Sequence, residues 1–274
     1  VKVDYPQRLT ENLTFRKAEN LLEGDPWVFA DDSSCNLAQK IHLHSTCLND
    51  LPARIGRGSS SGADQVFVLH RDGNRFLTRQ GENIEVEEDI LRIPVYATDF
   101  GRYEFRPKSN DVIIFPYRVD RGGYSLIAEN ELRKALPKAY KYLAGKTNEL
   151  EKRQQYKTWY SFSAPRNLDV HETAQILVPL LADRGLYCRL YDESLGYCLM
   201  ASGGFSITIA SESNLSPNYV LGLLNSRLLF WRLHSISNVF RGGWITCTKQ
   251  YVETLPIRTI DPASPADVQR HDRL

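Results

Sequence analysis

Apolar and polar positions along the chain predict an α+β fold. Segments rich in β-branched and aromatic residues, which are typical of strands, read QVFVL, EVEEDILRIPVY, DVIIFPY, QILVPLL, GLYCRLYD, YCLMAS and SITIA. Apolar residues spaced as on one face of a helix indicate helices near 35–51, 138–157 and 217–236. We therefore expect mixed or antiparallel strands that form a curved surface, braced by the helices near 138–157 and 217–236.

The segment 217–236 has the clearest helical pattern. Ser216 is a residue type that caps helix N-termini, and Pro217 suits a first helical turn. Leu224 and Trp231 lie on one side of this helix, and further leucines widen its apolar surface. We expect most of this helix to be buried.

The chain divides into three parts. Residues 1–33 are mixed and polar and are interpreted as a lead-in from a preceding domain. Residues 34–260 form the main domain, as one lobe or as two lobes with a seam near 120–165. Residues 261–274 start like a capped helix and then stop, which we interpret as a truncated helix or tail. Met200 is the single methionine, so we interpret the chain as a piece of a longer one.

Composition narrows the class of protein. With 274 residues, 42% of them hydrophobic, the chain can bury a sizeable core. No apolar run approaches the roughly 18 residues that span a bilayer, so we expect a soluble protein without a membrane partner. Five cysteines without a CxxC pair disfavour a zinc ribbon and favour a reducing, cytoplasmic environment over a disulfide framework.

The charge is uneven along the chain. The net charge of +1 does not by itself indicate nucleic-acid binding. However, residues 121–166 hold ten Lys and Arg against four Glu, and residues 226–252 hold four Lys and Arg with no acid. Such local patches can attract a polyanion, although ordinary solvated helix faces give similar runs.

Several catalytic motifs are absent from the sequence. The loop GRGSSSG (56–62) lacks the Lys-Ser/Thr of a nucleotide-binding P-loop, and neither a GxSxG elbow nor a GxGxxG fingerprint occurs. No Asn/Asp-Pro-Pro-Tyr/Phe signature of amino-methyltransferases is present, and no Asp/Glu-x-Lys falls on a credible strand of a metal nuclease. We therefore expect neither a catalytic residue nor a metal site in this chain.

An ordered series of short motifs carries a family resemblance. The motifs are Leu48, Asp50, Ile55, Gly56, Gly62, Asp64, Phe67 and Val68; LRIPVYATDFGRYEF (91–105); IIFPY (113–117); Tyr142, Leu143, Leu150, Arg153, Trp159 and Tyr160; QILVP (175–179); Leu-Asn-Ser (224–226); RGGW (241–244); and Tyr251 with Leu-Pro-Ile (255–257). Their order resembles the C-terminal specificity domain of TaqI/Eco57I-like adenine-N6 DNA methyltransferases, including fused type IIG restriction–modification enzymes.

This resemblance implies a target recognition domain for double-stranded DNA. It places the methylating half, with its S-adenosylmethionine site, in an upstream domain of the parent chain, so we expect no cofactor here. The parent would be a site-specific adenine methyltransferase and could also be an endonuclease. Two alternatives stay open: a specificity subunit of a multi-subunit restriction–modification system, and a protein-interaction domain that does not bind DNA.

Residues able to reach phosphates or base edges are concentrated in five segments. The candidate DNA contacts are Arg54, Arg57, Ser59 and Ser60 in RIGRGSSSG; Arg118 and Arg121 in YRVDRGGYS; Lys157 and Arg166 in YKTWYSFSAPR; Arg189, with Ser202, in the strand hairpins near 186–204; and Arg241, Trp244, Lys249 and Gln250 in FRGGWITCTKQ. The first segment is interpreted as a glycine-flexible loop at phosphates, with a solvated turn as its alternative. Trp244 would contact a sugar or, alternatively, belong to the core, whereas Asn225 and Ser226 are interpreted as scaffold.

Overall fold

The computed structural model of the chain describes residues 32–120, 123–171, 174–190 and 196–274. Its fold is α+β with open mixed sheets, as the apolar pattern predicts. The strands are β1 (Ser45–Cys47), β2 (Ala53–Arg57), β3 (Val68–Asp72), β4 (Arg75–Leu77), β5 (Asn83–Ile84), β6 (Leu91–Val95), β7 (Tyr103–Glu104), β8 (Asp111–Ile114), β9 (Tyr117–Asp120), β10 (Gly123–Leu126), β11 (Ile176–Val178), β12 (Leu181–Ala182), β13 (Cys188–Arg189), β14 (Tyr197–Leu199), β15 (Phe205–Ile209), β16 (Ile245–Thr246) and β17 (Pro256–Arg258). The α-helices are α1 (Asp32–His42), α2 (Asp64–Phe67), α3 (Glu129–Ala135), α4 (Pro137–Gly145), α5 (Thr147–Leu150), α6 (Leu168–His171), α7 (Pro217–Leu224), α8 (Arg227–Ile236), α9 (Lys249–Val252) and α10 (Pro265–Asp272).

Two larger sheets organise these strands. One has the order β2-β15-β11-β13-β7 and is antiparallel except for its β13–β7 pair. The other has the order β14-β6-β8-β3-β4-β5 and is antiparallel except for its β14–β6 pair. Three two-stranded ladders, β1–β17, β9–β10 and β12–β16, lie beside them.

Three groups of buried apolar residues stabilise the fold. The first joins the six-stranded sheet to α2–α6 and includes Phe67, Ile113 and Leu143. The second joins the five-stranded sheet to α7–α9 and includes Ile207 and Leu224. The third connects the two sheets and includes Val95, Phe100, Phe105, Leu177, Cys188, Tyr197 and Leu199. Residues 120–165 contribute to the first group, and the domain boundaries stay predictions.

Both bracing helices are interrupted, which corrects the prediction of continuous helices over 138–157 and 217–236. In place of the first, α4 ends at Gly145 and the short helix α5 follows it, and the chain is not helical after Leu150. The second breaks at Asn225–Ser226, where the extended Ser226 caps α8 by accepting a hydrogen bond from Leu229 N at 3.1 Å. Sequence periodicity missed both breaks because the apolar face continues across each one.

The buried side chain of Asn225 explains the second break. Its Oδ1 accepts from Tyr187 N at 3.1 Å, and its Nδ2 donates to Tyr187 O at 2.8 Å. The helix therefore ends where this side chain bonds to the backbone of a different segment. This contact agrees with the interpretation of Asn225 as scaffold.

Two further segments differ from their predicted elements. The helix expected over 35–51 ends at His42 and is followed by β1. The segment QVFVL does not enter a strand directly, because Val66 N and Phe67 N both donate to Ala63 O and close the turn of α2. The strand β3 begins only at Val68.

The C-terminal segment forms a docked helix. Ser264 caps α10, and Ser216 N donates to His271 Nε2 at 2.9 Å. The His271 ring also lies 4.9 Å from the Tyr219 ring, so α10 covers the start of α7. Of the helices in the described ranges, none is both long enough and apolar enough to cross a membrane.

Candidate nucleic-acid interface

The segment 58–62, here called the GSSSG segment, follows β2 and is fixed by backbone hydrogen bonds. Gly58 N donates to Gly204 O at 3.1 Å, and Ser59 N donates to Leu199 O at 2.8 Å. Ser60 and Ala164 exchange two N–H···O bonds, each of 3.0 Å. The prediction of a flexible loop is therefore wrong for this segment.

Its glycines are required by close packing. A Cβ atom on Gly58 would lie 2.2 Å from the carbonyl oxygen of Met200. Gly62 has a φ of +72°, and a Cβ atom there would lie 1.9 Å from Ser163 Oγ. The glycines let the GSSSG segment cross two other segments closely, rather than giving it freedom to move.

The three serines have different environments. Ser59 is fully buried, where its Oγ donates to Arg166 O at 2.9 Å and accepts from Arg166 N at 2.8 Å. Ser61 is also fully buried and bonds to Asp64. The expectation that Ser59 faces phosphates is thus corrected: its hydroxyl holds the loop that carries Arg166. Ser60 is half-buried.

Arg54 on β2 is held by Asn167, which directly precedes α6, and by Asp169 in the first turn of α6. Its Nη1 donates to Asp169 Oδ2 at 2.7 Å, and its Nη2 lies 3.4 Å from Asn167 Oδ1. Asn167 has a φ of +51°, and its Nδ2 donates to Arg57 O at 3.0 Å. Asn167 therefore connects the side chain of one predicted DNA contact to the backbone of another.

Arg57 and Arg166 are exposed at this edge. Neither side chain has a hydrogen bond or an ion pair to another residue in the described ranges. The Ser59 side chain bonds to the backbone of Arg166, and the Asn167 side chain bonds to the backbone of Arg57. The structure thus brings together the backbone positions of two predicted contacts from segments more than 100 residues apart. Ser202, which is exposed, lies on the same edge, because Ala201 N donates to Ser59 O at 2.6 Å.

Arg153 stabilises the backbone of this edge through hydrogen bonds, a role that the sequence did not predict. Its guanidinium donates to Ser61 O at 2.8 Å, to Ser161 O at 2.6 Å and to Trp159 O at 2.5 Å. Burial lowers the pKa of Arg153, and the nearby Tyr117 opposes that shift. The motif match had singled out Arg153, but its carbonyl partners could not be inferred from spacing.

The hairpin β9–β10 approaches the same loop. Tyr124 OH donates to Pro165 O at 2.8 Å, next to Arg166. Arg118 forms an ion pair with Glu131, so its charge is already partnered. The predicted contact Arg121 falls outside the described residues. Lys157 is exposed, with its backbone N–H donating to Ser161 Oγ at 3.3 Å.

The second cluster of predicted contacts lies around residues 238–246, here called the RGG hairpin. Phe240 N donates to Trp244 O at 2.6 Å, and Thr246 N donates to Asn238 O at 3.0 Å. Arg241 is exposed, and Trp244 is 41% exposed, so the alternative of a core tryptophan does not describe this structure. In the following helix α9, Gln250 is exposed and Lys249 pairs with Glu253 at 3.8 Å.

Sheet register places the two clusters at one end of the five-stranded sheet. Arg57, the last residue of β2, and Val178, the last residue of β11, both pair with Phe205. The GSSSG segment follows Arg57, whereas Val178 leads to β12, which pairs with β16 of the RGG hairpin. The GSSSG segment and the segment that leads to β12 therefore leave the five-stranded sheet at the same end, and the RGG hairpin pairs with β12.

Arg189 is separate from this end. Its neighbour Cys188 pairs with Leu177 in an antiparallel ladder, so Arg189 lies towards the start of β11. Its side chain donates to Asn218 of α7. In the described parts of the chain, no group of three or more His, Cys, Asp and Glu side chains could hold a metal ion.

Comparison with known proteins identifies the C-terminal part of the chain. Residues 136–257 match the family described as the TaqI-like C-terminal specificity domain. Over these residues the chain is similar to a TaqI-like C-terminal specificity domain. The family resemblance predicted from the order of motifs is thereby confirmed. Lys157, Arg166 and the RGG hairpin lie inside the matched residues, while β2 and the GSSSG segment precede them and pack directly against them.

The chain is also similar to a much longer protein. It is 21% identical over 274 residues to the type II restriction enzyme and methyltransferase RM.Eco57I of Escherichia coli. The alignment covers 92% of this chain but 27% of the E. coli protein. The similarity thus extends on the N-terminal side beyond the matched specificity domain.

Proposed function

We propose that this chain recognises a short sequence in double-stranded DNA as the specificity domain of a type IIG-like adenine-N6 methyltransferase or restriction–modification enzyme. The observation that carries the proposal is the cationic edge of the five-stranded sheet, in a chain with a TaqI-like specificity domain. At this edge Arg57 and Arg166 are exposed, without side-chain partners in the described residues, on backbone fixed by Asn167 and Ser59.

The two kinds of arginine at the edge suit two kinds of DNA contact. Arg57 and Arg166 are unpaired and can neutralise phosphates, which position a duplex without reading its sequence. The Arg54 guanidinium is oriented by Asp169 and Asn167, so less conformational freedom is lost when it meets a base edge. One oriented arginine beside two exposed arginines without partners in the described residues is therefore consistent with both specificity and affinity.

The methylating chemistry belongs, in this proposal, to an upstream domain of the parent chain. The parallel strand pairs in the described residues are β6–β14 and β7–β13, and no α-helix directly follows any of these strands within those residues. This arrangement supports the proposal that S-adenosylmethionine is bound in another domain of the parent and not by the described residues. The cofactor would be held upstream, and the target adenine would be flipped towards that domain.

The length of the E. coli relative supports a parent protein with further domains. This chain aligns with 27% of that protein, which is named as both a restriction enzyme and a methyltransferase. We propose a parent that methylates DNA and also cleaves it. A cytoplasmic location is part of the proposal, and the free thiols of all five cysteines support a reducing compartment.

A selection experiment tests recognition directly. A pool of randomised duplexes is passed over the immobilised 274-residue chain at two salt concentrations, and the retained DNA is sequenced. We expect enrichment of one short motif and weaker retention at higher salt, because phosphate contacts release counterions. The variants Arg57→Ala and Arg166→Ala should each lower the slope of log affinity against log salt by about one.

The matched control is Arg75→Ala. Arg75 is also an exposed arginine, but it lies on β4 of the other sheet and pairs with Asp72. Equal losses from Arg75→Ala and Arg57→Ala would contradict a localised interface. Absence of retention at low salt would contradict DNA recognition by this chain and favour a protein-interaction domain.

A further inference from the structure

The tip of the RGG hairpin exposes two aromatic rings: Trp244, which the sequence predicts as a contact to a DNA sugar, and Phe240, to which the sequence assigns no role. Phe240 is 53% exposed and Trp244 is 41% exposed, and the adjacent Val239 is 54% exposed. Large apolar side chains grouped on a surface mark an interaction site more often than scattered ones do. The position of Phe240 beside Trp244 across the turn could not be predicted from the letters FRGGW alone.

The exposure of these rings is built into the hairpin. Ile245 and Cys247 are fully buried, so strand alternation directs Trp244 away from the core. The bond from Phe240 N to Trp244 O closes the turn and sets the two residues opposite each other. The core therefore anchors the base of the hairpin while the rings stay at its tip.

The turn between the rings is narrow. Gly242 and Gly243 both have a φ of +81°, a conformation that L side chains rarely adopt. A Cβ atom placed on Gly243 would meet no atom within 4 Å, so glycine is required there by the backbone and not by crowding. A turn without side chains at these positions lets its backbone approach a ligand closely.

The surrounding charge favours a polyanion as the ligand. Residues 226–252 contain four Lys and Arg and no acid, and Arg241 lies between the two rings in the sequence, whereas Lys249 pairs with Glu253. Asp183, which follows β12 beside the hairpin, lies 3.8 Å from Arg184 and is thus partnered. An apolar partner surface would not need this cationic setting, whereas a nucleic acid combines phosphates with flat apolar bases.

From this arrangement, and resting on the proposed function, we propose that Phe240 and Trp244 form an aromatic wedge that contacts the bases of bound duplex DNA and unstacks one base step. Apolar side chains that insert between bases are a known way to deform a duplex. Arg241 contacts a phosphate next to the opened step. The wedge acts without the upstream catalytic domain, because every part of it lies in this chain.

The experiment uses 2-aminopurine, which fluoresces more strongly when it loses stacking. A duplex that the wild-type chain retains from the randomised pool is prepared with 2-aminopurine replacing each adenine in turn. We expect fluorescence to rise at one step on adding the 274-residue chain. Phe240→Ala and Trp244→Ala should abolish the rise and weaken binding by about fivefold or more.

Three variants control for folding and for general loss of apolar surface. Phe240→Leu and Trp244→Phe keep an apolar tip and should retain part of the fluorescence rise. Leu43→Ala removes another exposed apolar side chain, 73% exposed after α1, and should change neither fluorescence nor affinity. Because the tip side chains lie outside the core, each variant should unfold at nearly the wild-type temperature.

The outcomes separate the wedge from the proposed function. If the wild-type chain retains a duplex but no position gains fluorescence, or the Phe240→Ala/Trp244→Ala double variant gives the same gain, the wedge is overturned and DNA recognition stands. If the wild-type chain retains no duplex at low salt, both the recognition and the wedge are overturned. A gain that disappears only in the tip variants supports the wedge.

Discussion

The guanidinium of Arg153 donates from Nη1 to the backbone carbonyl of Ser61, 92 residues earlier in the chain, at 2.8 Å. The same side chain also bonds to the carbonyls of Leu150, Trp159 and Ser161. One cation thus connects the GSSSG segment to the segment 150–163, and no carboxylate among the described residues pairs with its charge. The edge that carries Arg57 and Arg166 depends on this connection.

We expect Arg153→Lys to destabilise the chain by about 2–3 kcal/mol, because a single ammonium group cannot reach all four carbonyls and leaves some unpaired. Urea unfolding at neutral pH measures the change as a lower midpoint. The adjacent and exposed Lys152 supplies the control, since Lys152→Arg should leave the midpoint unchanged. Equal midpoints for Arg153→Lys and the wild-type chain would contradict this role.

Asn167 offers a test of positioning at the interface. Its left-handed φ of +51° and its bond to Arg57 O are separable by substitution. Asn167→Gly keeps the backbone conformation but removes the amide, whereas Asn167→Ala also adds strain of about 1 kcal/mol. We expect both variants to weaken DNA binding and to broaden the selected motif, but Asn167→Ala to unfold more easily.

Binding and thermal unfolding, measured on the same samples, distinguish these effects. If Asn167→Gly bound DNA as the wild-type chain does, the hydrogen bonds of the Asn167 side chain would have no part in orienting Arg54 and Arg57. A loss of stability without a loss of motif would assign Asn167 a purely structural role.

The sequence predicted the elements better than their connections. Strands such as β8 and β15 were predicted correctly because each is a short segment of consecutive, mostly buried residues rich in β-branched side chains. The GSSSG segment was misread because glycine and serine serve a flexible loop and a close crossing equally well. Only the backbone of Met200 and the side chain of Ser163, both distant in sequence, distinguish the two.

Long-range polar contacts account for the remaining differences. Asn225 ends α7 by bonding to Tyr187, and Arg54 pairs with Asp169. Neither pairing leaves a periodic signal, because each depends on which segments the topology brings together. The exposed cations could be proposed from residue type, but the structure was needed to see which of them form ion pairs.

The buried thiols provide a test of the core. Burial raises the pKa of Cys198 to about 12, as it does for Cys247, and it also raises the pKa of Cys188. Because the thiolate is the reactive form, we expect these three to resist iodoacetamide at pH 8 while the exposed Cys35 is alkylated. Mass spectrometry of peptides before and after unfolding measures this, and rapid native alkylation of Cys198 would contradict its burial.

Acid should release the C-terminal helix through Asp267. Burial alone would raise the pKa of this carboxyl, but hydrogen bonds from Arg258, the backbone at Asp261 and Arg270 together lower it. A carboxyl with a lowered pKa stabilises the folded state above its unfolded pKa, near 4, and this contribution is lost as pH falls. We therefore expect the wild-type chain to lose thermal stability below about pH 4, and the variant Asp267→Asn to lose less over the same interval.

Melting curves at pH 7 and at acid pH measure the difference. The control is Asp261→Asn, because Asp261 is exposed and its side chain accepts a hydrogen bond from Ala263 N. Equal losses of thermal stability at acid pH in the wild-type chain and in Asp267→Asn would show that the Arg258–Asp267 pair does not stabilise the packing of α10 on the rest of the domain.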